Sequence, residues 1–235
     1  MPTLEDTLAD RMKRFEHIGC LKHVRSAFDA AINTHLTVRS SAQDVAAKLA
    51  KDNRLTPIGR KDKMHEHVSK EAHRVARAQK TFEQIKRRHV EELAAVQPKA
   101  PDKTDVAAAV ARSDLRSMLR GMQMAKAAQL LIGPEADAIL QAAVLELPNY
   151  ASGINDEIRR IVTEQVIERE HPGALAELEQ KAEAIELLGV AVHVLERTFR
   201  EVAEFPNEKF LNDFIEKSVG DTSRMESEIA SELAA

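Results

Sequence analysis

The sequence has no tryptophan, one tyrosine (Tyr150), one cysteine (Cys20), and eight each of glycine and proline among 235 residues. Each shortage excludes something. A single cysteine forbids an intramolecular disulfide and any zinc site built on several thiolates. So few glycines and prolines cannot serve an all-β chain, which turns every 8–12 residues or so. No uninterrupted apolar run approaches the ~20 residues that span a bilayer, so no membrane partner is expected. Met1 to Asp6 lacks a basic stretch leading into an apolar one, so no secretory signal is expected. Glycine-rich phosphate loops, GxSxG elbows and GK[ST] strings are absent, and no catalytic residue or cofactor is assigned.

What is present points to helices. Hydrophobic residues make up 43% of the chain, carried by alanine, leucine and valine, and charged residues another 31%. That is the profile of an all-α protein with long solvated helices. Two stretches carry narrow apolar stripes. In 172–205 the stripe is Leu175, Leu178, Ala182, Ile185, Leu188, Val192, Leu195, Phe199 and Val202, spaced three and four apart, close to a coiled-coil rhythm. In 57–96, Val68, Val75, Phe82, His89 and Val96 recur every seven residues, with Ala72, Ala78, Ile85 and Leu93 between them. A stripe that narrow buries against one or two partner helices. At ~1.5 Å per residue the first helix would span on the order of 60 Å, too long for a core of this chain to cover, so much of it should project.

Charge is divided along the chain. Residues 1–145 hold 25 Lys or Arg against 18 Asp or Glu, and residues 146–235 hold 9 against 20. The first long helix is basic and the second acidic, a complementarity that favours their pairing. The expected fold is therefore all-α: an antiparallel, coiled-coil-like stalk of 56–97 against 172–205, with a small helical head, 104–171, at its tip. Amphipathic helices in 1–55 and a C-terminal helix with an acidic, fraying tail in 206–235 complete it. Thr37 to Ser41 reads as a break before a short helix 42–51, Gln97 to Lys103 as a linker, and Gly133–Pro134 as the end of one helix running from about 105. Pairing with a second copy of the chain is the rival to closure of the stalk within one chain.

Phe82, Ile85, Leu93, Ile185, Leu188, Val192 and Leu195 are the expected stalk seam. His65-Glu66-His67 is dense in potential metal ligands, but histidines two apart on a helix point in different directions, and Ser69 stands where HExxH needs its second histidine. No metal site is assigned. His89 reads as a seam histidine, and Cys20 as a small packed side chain. The basic face Arg74, Arg77, Lys86, Arg87 and Arg88 could meet phosphates, yet with Phe82 assigned to the seam no aromatic residue is left near it to stack on bases, so charge pairing is the favoured use. Phe210, Phe214, Met118 and Met122 are candidate partner contacts, the methionines also suiting core packing.

Two segments carry a resemblance. Leu55-Thr56-Pro57-Ile58-Gly59-Arg60 opens a basic helix, and Ala143-Val144-Leu145-Glu146-Leu147-Pro148 leads through Ser152-Gly153 to a helix ending at His171-Pro172. In these strings and in element order, residues 50–205 resemble uncharacterised helical proteins encoded among the virion and morphogenesis genes of tailed phages and prophages. The resemblance implies a non-enzymatic structural part of a particle, located in the virion or in the host cytoplasm during assembly. Its partners would be capsid, portal or head–tail neck subunits, and a homo-oligomer is possible. The other functions weighed are an assembly scaffold that leaves the mature particle and a nucleic-acid-binding accessory using the basic 60–88 face.

Overall fold

The computed structural model describes residues 3–99, 104–134 and 136–234. It is all-helical, with 80% of the chain in helix and no strand among the described residues. The chain divides into two compact units: Met1–Val90 with Gln180–Ala235, and Glu91–Glu179.

The first unit opens with α1 (Leu4–Lys13), started by a capping box in which Thr3 and Asp6 exchange side-chain-to-backbone hydrogen bonds. A 3₁₀ turn at Gly19–Leu21 leads into α2 (Lys22–Lys51). The break expected at Thr37 to Ser41 is absent, because α2 runs unbroken through it. Thr34, Thr37, Ser40 and Ser41 return their hydroxyls to carbonyls three or four residues back. Meanwhile Val24, Phe28, Ala31, His35, Val38 and Ala42 form one buried stripe along the helix. Burial along that stripe overrides the weak helix propensity of β-branched and hydroxyl residues.

Thr56 caps α3 (Pro57–Ser69), with proline in the first turn where its missing N–H costs nothing. The expected single helix to Val96 is interrupted at Lys70–Glu71, and α4 (Ala72–Ala95) follows. Lys70 and Glu71 donate to His67 and Val68, three residues back, and Ser69 bonds Glu66's carbonyl. Such tightened turns and serine back-bonds bend a helix without proline or glycine. The bend keeps Val68, Ala72 and Val75 all buried.

In the second unit, α5 (Val106–Arg120), capped by Asp105, and α6 (Met124–Ile132) replace one expected helix, split after the C-cap Gly121. Then come α7 (Ala138–Leu145), a 3₁₀ turn at Asn149–Ala151, and α8 (Asp156–Glu170), capped by Asn155. Of the expected linker, residues 100–103 lie outside the described residues. Leu119, Leu131, Leu140, Val144, Ile158 and Val162 share one core. Buried guanidinium groups hold it from within. Arg112 and Arg116 converge on Glu146, at 3.1 and 2.5 Å, and hold its carboxyl below the ordinary range, Arg112 most strongly. Arg159 donates to three carbonyls, Val144, Leu145 and Leu147, at the C-terminal end of α7. Gln141 and Gln165 do the same for Leu131 and Ile132 at the end of α6. These are the orphan carbonyls every helix end leaves unsatisfied.

Helix α9 (Ala174–Val202) begins two residues after Pro172, beyond Gly173, whose φ of +80° suits glycine. In the first unit α9 packs antiparallel to α4. Gln79 bonds Glu196 at 2.7 Å, and the Phe82 ring lies so close to Gly189 that a Cβ there would sit 2.9 Å from it. Ile85, Ile185, Leu188 and Val192 share their core with Leu8, Phe15, Leu21 and Phe28 from the N-terminal segment. The α4 and α9 stripes are thus buried in a core of several helices. Leu195 belongs to a second core with Phe199, Val68 and Val75. Leu93 departs from the expected seam: it is 36% exposed, lying past Ile85, the last buried residue of the α4 stripe.

After α10 (Glu208–Val219), the tail expected to fray forms α11 (Ser223–Glu232). Met225 and Ile229, one turn apart, are 5% and 1% exposed and join the second core. Burying both outweighs the cost of ordering a short acidic helix.

Candidate interaction groove

The same local rules that start α1 and α3 position the walls of an open groove of about 1200 Å³ in the first unit. The start of α1 supplies Leu4 and Glu5, and α2 supplies His35, Arg39, Ala42 and Leu49. Helix α3 adds Ile58, Lys61, Met64 and His65, and the last turns of α9 add Val194, Arg197, Glu201 and Val202. Leu4 is 54% exposed and Ile58 74%, so apolar surface stands open at its mouth.

Several charged groups and both histidines of these walls are engaged with one another or with neighbouring backbone. His35, 3% exposed, places Nε2 2.8 Å from Glu5 Oε1, and Arg39 approaches the same oxygen at 3.4 Å. Glu5 is held down to about 2, first by its own backbone amide and then by His35. An ionised carboxylate only accepts, so His35 Nε2 carries the proton. Its Nδ1 is buried without a hydrogen-bond partner. His65 Nε2 donates to the Ala203 carbonyl at 2.7 Å, and its ring packs against Phe205 and Phe214. Lys61 approaches Glu204 at 3.8 Å, and Arg197 bonds Glu201 at 2.8 Å. His67 turns the other way, to Ser41 Oγ at 3.2 Å. The two histidines of the His65-Glu66-His67 string thus serve different neighbours, and no metal-binding group of three His, Cys, Asp or Glu occurs among the described residues.

The basic face of α4 has an internal occupant. Arg77 reaches Glu228 and Glu232, and Lys80 reaches Glu226. The Arg88 guanidinium donates to the carbonyls of Ala230 and Leu233 at the end of α11, and Gln84 donates to Glu226's carbonyl at 2.9 Å. Arg87 lends its charge to Glu226, whose carboxyl is lowered chiefly by Lys80. Arg74 pairs with Glu71, and the Lys86 ammonium lies over the Phe82 ring. The carboxylates that meet this face come from α11 more than from α9.

The proposed partner contacts divide. Phe210 is 54% exposed on α10 and Met118 42% exposed on α5. Met122 is packed against the second unit's core. Phe214 is turned inward, its ring 5.0 Å from Phe205 and 6.2 Å from Phe199, because α10 buries the side that also carries Leu211 and Ile215. Tyr150 and Ile139, 82% and 61% exposed, present apolar surface that periodicity does not mark.

No protein-family model, curated protein or solved structure matches this chain. Among the described residues no helix is long and apolar enough to cross a membrane.

Proposed function

We propose that the protein is a non-enzymatic structural part of a tailed-phage particle, bracing capsid, portal or neck subunits through helical surfaces. The resemblance of residues 50–205 supplies the setting. One observation carries the mode of action: both histidines that line the groove, and the Glu5 carboxylate beside them, are spent on helix-to-helix ties, Glu5 with His35 and His65 with Ala203. What the groove offers a partner is therefore shape and apolar surface, with Ile58 and Leu4 at its mouth. That suits docking of a neighbouring subunit's segment better than bond-making chemistry. In this reading the antiparallel pair α4 and α9, cored with α1 and α2, is the stiff element of the first unit, and the helices of 104–171 present a second contact surface through Met118 and Tyr150. A nucleic-acid role for the basic face would first have to displace α11 from Arg77, Lys80 and Arg88.

Mass spectrometry of purified mature particles and of precursor shells tests the proposal. A stoichiometric band in the mature particle is the expected result. Presence in precursor shells alone would make the chain a scaffold, and absence from both would refute the proposal.

A further inference from the structure

We propose that a second cleft, between α4, α9 and α10, receives a cationic amphipathic helix from another protein. This cleft is distinct from the groove above and holds about 1180 Å³. Its apolar surface comes from Phe82, Gly189, Val190 and Val219, with Leu211 and Ile215 beneath. Val190 is 44% exposed on a helix whose neighbouring positions, Leu187, Leu188 and Ala191, are buried. Helix α10 faces the cleft along its whole length, from Glu208 through Leu211, Asn212 and Ile215 to Val219. Those twelve residues measure about 18 Å at 1.5 Å each, and a helix of that length and about 10–12 Å across occupies about 1400–2000 Å³, so it would fill the cleft and stand partly out of its open side. Helix-in-groove recognition uses this geometry, with anchors spaced three and four apart.

Charge decides which helix. Five carboxylates line the cleft, Glu83, Glu186, Glu196, Glu208 and Glu216, against two ammonium groups, Lys80 and Lys86. Both lysines are engaged, Lys80 with Glu83 and Glu226 and Lys86 over the Phe82 ring. Glu196 bonds Gln79. Among the described residues, Glu186, Glu208 and Glu216 have no ion-pair partner and no side-chain hydrogen-bond donor. They come from two different walls, Glu186 on α9 and the others on α10. A helix with an apolar stripe flanked by Lys or Arg would meet apolar surface below and unpaired carboxylates on both sides, the complementarity that steers association and fixes register.

The test uses the full chain and a fluorescent 14-residue synthetic helix carrying a leucine–alanine stripe flanked by lysines, with a glutamate-flanked counterpart. Fluorescence anisotropy should show the lysine peptide binding, more weakly as salt rises, and the glutamate peptide failing to bind. Replacing all three carboxylates (Glu186→Gln, Glu208→Gln, Glu216→Gln) should weaken binding about tenfold, since each exposed pair contributes only a few-fold. Val190→Ser should also weaken it. A control triple on exposed carboxylates elsewhere in the unit (Asp10→Asn, Asp29→Asn, Asp44→Asn) should leave it unchanged, and circular dichroism verifies that all variants stay folded. Equal effects of the two triples, equal binding of the two peptides, or no binding at all would overturn the proposal. So would self-association of the chain that Val190→Ser abolishes, which would make the occupant a second copy. These outcomes are independent of whether the chain is found in particles.

Discussion

Gly189 and Phe82 should behave as a coupled pair whose sign reverses. Glycine inside a helix costs about 1 kcal/mol relative to alanine, so Gly189→Ala alone ought to stabilise α9 by that amount. It cannot do so here, because the new methyl would sit 2.9 Å from Phe82 Cζ and 3.3 Å from Cε2. If the ring swings toward the cleft that it borders, it gives up its packing on the core of Ile85, Ile185 and Leu188 and its place beneath the Lys86 ammonium at 5.4 Å. Overpacking of this kind costs about 1–3 kcal/mol, so the net effect of Gly189→Ala is a destabilisation of up to about 2 kcal/mol. Phe82→Ala, at a partly buried site, should cost about 2–3 kcal/mol, below the range for a fully buried ring. In the Phe82→Ala background the methyl meets no ring, and Gly189→Ala should become stabilising by about 1 kcal/mol. Urea unfolding followed by circular dichroism measures all four corners of the cycle. Additive effects, with Gly189→Ala equally harmful in both backgrounds, would refute the contact as the reason for glycine at this position.

Ile229→Ala should cost about 2–5 kcal/mol and speed amide exchange throughout α11, because Ile229 is 1% exposed in the core that holds this helix. Arg77→Glu should cost about 1 kcal/mol or less and lose its effect at high salt, since its pairs with Glu228 and Glu232 are half-exposed. Glu146→Ala leaves Arg112 and Arg116 buried without their shared carboxylate, and a loss of about 3–5 kcal/mol is expected in thermal or urea unfolding. Glu5 is lowered from 4.5 to about 2 in the folded chain. A depressed carboxyl contributes stability that is fully present above its unfolded value and is lost as pH falls through the folded one. Stability should therefore decline between pH 4.5 and about 2, and Glu5→Gln should remove that limb while costing about 1.5–3 kcal/mol at neutral pH.

The helical class and most helix starts are legible in the chain because they rest on local chemistry. Thr56–Pro57, Asp105 and Asn155 cap the helices that their spacing announces. What is not legible depends on partners distant in sequence. The α3–α4 bend comes from i to i+3 bonds at residues that carry no breaker signal. Helix α2 survives Thr37 to Ser41 because His35 and Val38 are buried by other helices. Helix α11 looks like an acidic tail until Met225 and Ile229 find the core. The Glu5–His35 pair spans thirty residues, and its one sequence signal is a histidine inside the apolar stripe of α2. The close approach at Gly189, next to Leu188 of the α9 stripe, is not marked by periodicity, and only the fold names Phe82 as the side chain that approaches.

Closure of the α4–α9 pair within one chain, leaving its outer surfaces open to partners, is most directly tested by crosslinking. With Cys20→Ser as background, Gln79→Cys and Glu196→Cys replace two side chains that meet at 2.7 Å. A short bis-maleimide should join them within a monomer at any protein concentration, giving one species of unchanged mass class on a denaturing gel. Crosslinks that appear only between chains, and that rise with concentration, would contradict the account and assign the pairing to two copies.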